Sequence, residues 1–169
     1  MAEFALCLFG PPQIEYDGSS VAVSRRKALA LIAYLAVSGK PHSRDVLATL
    51  LWPQLDQRRA RTGLRRALVD IRRAIGNSWL LVQQDRIALP AQEGLQVDVV
   101  RFRHLLQAVE GHGHEPDNLC DPCVVALTEA ANLYHDDFLA GFSLPDTEDF
   151  DLWLLKHFFE SLAQKGRMN

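Results

Sequence analysis

Seven arginines crowd residues 58–73: Arg58, Arg59, Arg61, Arg65, Arg66, Arg72 and Arg73, with Asp70 as the acid among them. A guanidinium is a permanent planar cation that grips phosphates and guanine edges through paired hydrogen bonds, so this density suits a polyanion. A second group, His112-x-His114 followed by Cys120-x-x-Cys123, offers zinc-ligand types or, through the cysteines alone, thiol–disulfide exchange. A third is the adjacent carboxylate pair Asp136-Asp137. No glycine-rich phosphate loop, nucleophile elbow or H-E-x-x-H occurs, so no enzyme and no cofactor are expected.

The lesser groups have bland readings. A redox C-x-x-C follows a strand in a thioredoxin-like unit, and no such unit is visible around Cys120. The zinc reading has four ligands of sensible type, but His-x-His departs from finger spacing. The reading adopted is a loop capping a helix that begins at Asp121-Pro122, with no metal and at most mild reactivity at Cys123. Neighbouring positions on a helix point about 100° apart, so Asp136 and Asp137 are poorly placed for joint acid–base work and read as a solvated face. His157 falls in an apolar stripe and reads as a core histidine.

The arginines need a scaffold. Phe4, Leu6 and Leu8 alternate, Gly10-Pro11-Pro12 breaks the run, and Ile14 and Tyr16 lead into Asp17-Gly18, a hairpin turn signal before Val21 and Val23. Ser24 is the expected cap of a helix with its apolar stripe at Ala28, Leu31, Ile32 and Leu35, closed by Gly39 and Pro41. Ser43 caps a second helix through Val46, Leu47, Leu50 and Leu51, ended by Trp52-Pro53. Asp56 caps a third, from Gln57 to Ile75, with Gly76-Asn77 as the stop. Its apolar residues Ala60, Leu64, Ala67, Leu68, Ile71 and Ile75 form one stripe narrower than about 100°. All seven arginines fall on the remaining arc, with Thr62 and Val69 near its centre. Two short strands follow, Trp79–Val82 and Arg86–Leu89, a hairpin directly after a basic helix.

A charged outer face is most often merely solvated, but such faces mix signs so that i,i+4 pairs support the helix. Seven arginines against Asp70 do the opposite, and an anion on that face accounts for the excess. The net charge of −3 hides the asymmetry: residues 1–89 hold 13 Lys+Arg against 7 Asp+Glu (+6), and residues 90–169 hold 5 against 14 (−9). The change of sign at Pro90 points to two parts, 1–93 and 94–169. The 169 residues, 48% hydrophobic, can build a real core. No run of about 18 apolar residues exists, so no membrane span is expected. Met1-Ala2-Glu3 has no basic segment for a secretory signal, and three cysteines suit a reducing compartment. The expected location is the cytoplasm.

The ordered motifs resemble a known family. Leu8-Phe9-Gly10-Pro11, Asp17-Gly18, Arg26-Lys27-Ala28-Leu29-Ala30-Leu31, Ser43-Arg44-Asp45-Val46-Leu47, Leu51-Trp52-Pro53, Ala60-Arg61, Leu64-Arg65-Arg66-Ala67-Leu68 and Ile71-Arg72-Arg73-Ala74-Ile75-Gly76 occur in the order of an OmpR-type DNA-binding domain. They resemble the form found in SARP-type (Streptomyces antibiotic regulatory protein) transcriptional activators. The resemblance implies an α+β winged helix-turn-helix with an N-terminal antiparallel sheet, three helices and a C-terminal β-hairpin wing.

Val97-Asp98, Tyr134 with Phe138-Leu139-Ala140-Gly141-Phe142, and Trp153 resemble the start of the bacterial transcriptional activator domain that follows it, an all-α stack similar to tetratricopeptide repeats. Three helices are expected there. One carries Phe102, Leu105, Leu106 and Val109; a second carries Val124, Leu127, Ala131, Tyr134 and Phe138; a third, capped by Asp146 or Thr147, carries Phe150, Trp153, Leu154, Phe158 and Leu162. Stacked helix pairs need neighbours to bury both faces, so the chain reads as an excerpt of a longer bacterial, nucleoid-associated protein.

The expected function is sequence-specific binding of double-stranded DNA and transcriptional regulation. Arg58, Thr62, Arg65, Arg66, Val69 and Arg73 are the candidates for reading bases. Arg59, Arg61 and Arg72 on the helix flanks, and Arg25, Arg26, Lys27, Lys40 and Arg44 at helix ends, are candidates for phosphate, with Gln84 and Arg86 on the wing. The resemblance further implies directly repeated sites, head-to-tail pairs of the protein (a homodimer on DNA), and recruitment of RNA polymerase with its sigma factor through Trp52, Pro53, Gln54, Leu55 and Asp56. The rival readings are a protein–protein module whose basic helix binds an acidic partner, and an RNA binder, for which aromatic stacking platforms are lacking.

Overall fold

The computed structural model describes residues 2–115 and 117–144. Along the chain run β1 (Phe4–Cys7), β2 (Gln13–Tyr16), β3 (Ser19–Val21), α1 (Arg26–Ser38), β4 (His42–Ser43), α2 (Arg44–Leu51), α3 (Gln57–Ile75), β5 (Leu81–Gln83), β6 (Arg86–Ala88), β7 (Leu95–Val97), α4 (Asp98–Gly111) and α5 (Asp121–Leu133). This is an α+β fold.

The N-terminal sheet has the order β3-β2-β1-β7. Strands β1 and β2 are antiparallel, with Leu6 opposite Ile14, and β2 turns into β3 at Asp17-Gly18. Both turn residues have positive φ (48° and 74°), the conformation a two-residue hairpin loop demands. The alternation of β1 holds, since Phe4, Leu6 and Leu8 are fully buried. Strand β7 lies past the expected boundary at 93/94, yet it pairs in parallel with β1, Leu6 opposite Val97. Three residues long, it carries too little pattern to be seen in the sequence.

Helix α1 sits at the centre, packed by α2, α3 and α4. Instead of the expected single stripe, Ala28 and the whole run Ala30–Val37 are buried, because alanines on its other faces admit those neighbours closely. Ser24 does not cap it; the helix starts at Arg26, where the Arg25 carbonyl accepts the N–H groups of Ala28 and Leu29. Gly39, at φ 61°, closes it as expected and donates to the Leu35 carbonyl. Ser43 accepts the Val46 N–H at the start of α2, and Asp56 accepts the Arg59 N–H at the start of α3. Both caps were legible because they are local.

The second sheet, β4-β6-β5, places His42 opposite Ile87 and Leu81 opposite Ala88. The first strand of the hairpin begins at Leu81 rather than at Trp79. The ladder with β6 pairs Leu81–Gln83 with Arg86–Ala88, and Trp79 and Leu80 are buried ahead of it. Trp79 packs edge-on against Phe4, 5.4 Å between ring centres.

Beyond β7, Asp98 begins α4 and accepts the backbone N–H groups of Leu8 and Phe9 at 2.8 Å each. Arg103 of α4 donates to the Val37 carbonyl at the end of α1. Helices α4 and α5 pack together, with Arg101 gripping Glu129 through two hydrogen bonds. The expected α5 stripe is corrected. Cys123 and Ala130 are buried, whereas Val124 and Ala131 are exposed and the helix ends at Leu133.

From there the chain returns to the end of β1. Gly10 donates to Asp137, Leu139 donates to the Leu8 carbonyl, and Tyr134 lies against Phe9. Asp136 and Asp137 therefore sit in this connection and not on a helix. The expected third helix, with Trp153 and His157, lies outside the described residues. Among the described residues no helix is long and apolar enough to cross a membrane.

Candidate nucleic-acid interface

Helix α3 is held by contacts on its inner and flanking sides. Ala60, Leu64, Ala67, Leu68, Ile71 and Ile75 are buried against the core, with α1 and α2 as the packing helices. Asp70, 9% exposed, pairs with Arg25 just before α1. Asp45 in the first turn of α2 takes two hydrogen bonds from Arg61, at 2.6 and 2.7 Å. Those bonds hold the Asp45 carboxyl below the usual aspartate range and push the guanidinium up. The Trp52 indole lies on Gly63, and the Lys27 ammonium stands 5.4 Å from the centre of the same ring. A glycine inside a strong helix was the visible sign of that close approach.

These contacts sort the arginines. Arg61 is committed to Asp45, and Arg59 stands 3.5 Å from Asp56. Arg72 is half-buried, its Nε enclosed without a hydrogen-bond partner among the described residues. Arg58, Arg65, Arg66 and Arg73 are exposed, and among the described residues they have no carboxylate partner. At 100° per residue these four, Thr62 and Val69 share one arc about 100° wide, opposite the buried stripe. Val69 is 48% exposed at the middle of it, an aliphatic group among cations. The Thr62 hydroxyl donates to the Arg58 carbonyl, which turns its methyl and oxygen along the helix.

The β5–β6 hairpin is tied to the start of α2. Arg44 donates through its backbone N–H to the Asp85 carbonyl (2.8 Å) and through Nε to the Gln84 carbonyl (3.3 Å). Gln84, at φ 45°, and Arg86 are exposed at the tip, which with Ser43, Gln83 and Asp85 lines a shallow hollow. Several helix-end cations have other work. Arg25 pairs with Asp70, Arg26 lies 5.2 Å from the centre of the Phe142 ring, and Lys27 lies over Trp52. Lys40 is exposed beyond the other end of α1, about 20 Å along the helix from Arg26 at 1.5 Å per residue. In the α2–α3 connection Pro53, Gln54 and Leu55 are exposed, Trp52 is half-buried, and Asp56 is occupied as the α3 cap. Sequence reasoning missed Asp45, because its partner lies on another helix.

No protein-family model and no curated protein matches the chain. Among solved structures it is similar to Mycobacterium tuberculosis EmbR, solved in complex with a low-affinity phosphopeptide, at 19% identity and a TM-score of 0.67. The likeness covers 96% of this chain and 43% of that one, so this chain spans less than half the length of EmbR. What the two share is the fold, an N-terminal sheet with the helices described above.

Proposed function

We propose that this chain binds double-stranded DNA sequence-specifically and regulates transcription. One observation carries the reading: an exposed arc of α3 presents Arg58, Arg65, Arg66 and Arg73 without counter-charges among the described residues, on a helix whose other side is fixed in the core. A face of like charges costs stability unless an anion covers it, and a helix of this diameter fits the major groove. In this reading α1 to α3 and the hairpin work as a winged helix-turn-helix of the OmpR type. Arg58, Thr62, Arg65, Arg66, Val69 and Arg73 face the bases, with Val69 against a thymine methyl. Arg59, Arg72, Arg44 and Lys40 hold phosphates, and Gln84 and Arg86 touch the adjoining backbone. Arg25, Arg61 and Lys27 serve mainly to hold α3 in place.

The family resemblance extends the proposal to directly repeated sites occupied by head-to-tail pairs, and to recruitment of RNA polymerase and its sigma factor by the exposed Pro53, Gln54 and Leu55. Helices α4 and α5 would then open the helical activator domain. Among the described residues no acid beyond Pro90 pairs with an arginine of α3. Selection of binding sites from random duplex DNA tests the proposal. Enrichment of a repeated motif is expected; equal recovery of all sequences, or salt-sensitive binding to acidic proteins with none to DNA, overturns it.

A further inference from the structure

The loop from α4 to α5 brings four donors together at one point. His112 ends α4, Gly113 turns the chain in the left-handed region (φ 66°), and His114 follows, so the two imidazoles converge with ring centres 5.4 Å apart. The reversal at Gly113 answers the spacing objection, because side chains two apart need not diverge across such a turn. Cys120 is the residue before α5 and Cys123 lies in its first turn, three positions on and therefore on the same side of the helix. His114 Nε2 lies 3.1 Å from Cys120 Sγ, and His112 Nδ1 lies 3.5 Å from Cys120 Sγ and 3.2 Å from Cys123 Sγ. One donor atom from each of the four side chains lies within 4.8 Å of all the others.

We propose that His112, His114, Cys120 and Cys123 form a structural zinc site that staples α4 to α5. Zn–S bonds of about 2.3 Å and Zn–N bonds of about 2.0 Å in a tetrahedron set donor–donor separations of roughly 3.3–3.8 Å, so the arrangement needs only small adjustments. Two nitrogens and two sulfurs in a tetrahedral arrangement select zinc over harder cations. Two thiolates neutralise the ion, and the start of α5 favours their negative charge.

The fold also has a use for it. Along α5 the buried residues are Cys123 and Ala130, while Val124 and Val125 are 48% and 66% exposed. Ala126, Leu127 and Leu133 are half-buried beside them and the Arg101–Glu129 pair ties the two helices, so a metal at one end would add to this contact where α5 begins. All four ligands sit at the junction of the two helices, where one ion can fix their crossing.

Metal analysis of the whole chain, purified under reducing conditions and dialysed against trace zinc, tests the site. One equivalent of zinc per chain is expected, falling to none in Cys120→Ser/Cys123→Ser and kept in His104→Ala, whose imidazole lies elsewhere on α4. Cobalt(II) in place of zinc should give the strong visible bands of a tetrahedral thiolate site, a readout on the unmutated chain that needs no variant to fold. Zinc well below one equivalent, full zinc in the double serine variant, or the weak spectrum of octahedral cobalt overturns the proposal.

Discussion

The indole of Trp52 occupies the space where any residue other than glycine at position 63 would carry its β-carbon: an atom there would stand 2.6 Å from Cε2 of the ring. Glycine inside a helix costs about 1 kcal/mol relative to alanine, so its presence in α3 reflects this contact and not helix propensity. Gly63→Ala should therefore destabilise the fold by about 1–3 kcal/mol, through the shift forced on Trp52. In the Trp52→Ala background the same change should be neutral or stabilising. Denaturant unfolding of the four proteins in the cycle measures the coupling. A stabilising Gly63→Ala in the wild-type background would show that the ring does not press on the helix.

Arg66 is exposed on the outer arc and has no acidic partner among the described residues. Arg66→Ala should cost about 1–3 kcal/mol on the selected site and relax base preference at one position. Binding isotherms on selected and scrambled duplexes, at one salt concentration, separate a base contact from a phosphate contact. Equal losses on both duplexes would move Arg66 to the phosphate group.

Asp45 holds Arg61 by two parallel hydrogen bonds along one edge of its guanidinium, from Nε and one Nη. Asp45→Asn should release the guanidinium towards the DNA backbone. The slope of log affinity against log salt should then steepen by about one, the signature of one added phosphate contact. An unchanged slope would mean that Arg61 points away from the duplex even when free.

The same pair gives a pH dependence. Arg61 holds the folded-state pKa of Asp45 below its unfolded value, so the stabilisation is fully present above the ordinary aspartate range, near about 3.9, and is lost as pH falls through the folded value. The gap in melting temperature between the wild type and Asp45→Asn should be open at neutral pH and closed in strong acid. A gap that persists in acid would assign it to something other than this carboxylate.

Features written in neighbouring residues were legible. Ser43, Asp56, Gly39 and Asp121-Pro122 each marked a helix end where the structure has one, and the period of α3 placed its buried and exposed sides. What escaped depends on residues far apart in the chain. Strand β4 is two residues long and exists through its pairing with Ile87 and Arg86; β7 exists through β1. The partners of Arg25 and Arg61 lie 45 and 16 positions away. The stripe of α5 was misjudged because its apolar residues suit more than one helical face, and packing on α4 chose the face with Cys123 and Ala130.

Anyone trimming this chain to its basic part would be drawn to cut where the charge changes sign, near Pro90. Such a fragment would lose Leu95–Val97 and leave the outer edge of Phe4–Cys7 bare, a row of open backbone groups ready to pair with another molecule. It would also strip Leu8 and Phe9 of the carboxylate that receives their N–H groups. Aggregation of a short fragment would thus reflect a missing border strand rather than an unstable basic helix, and the shortest piece worth expressing runs through Asp98.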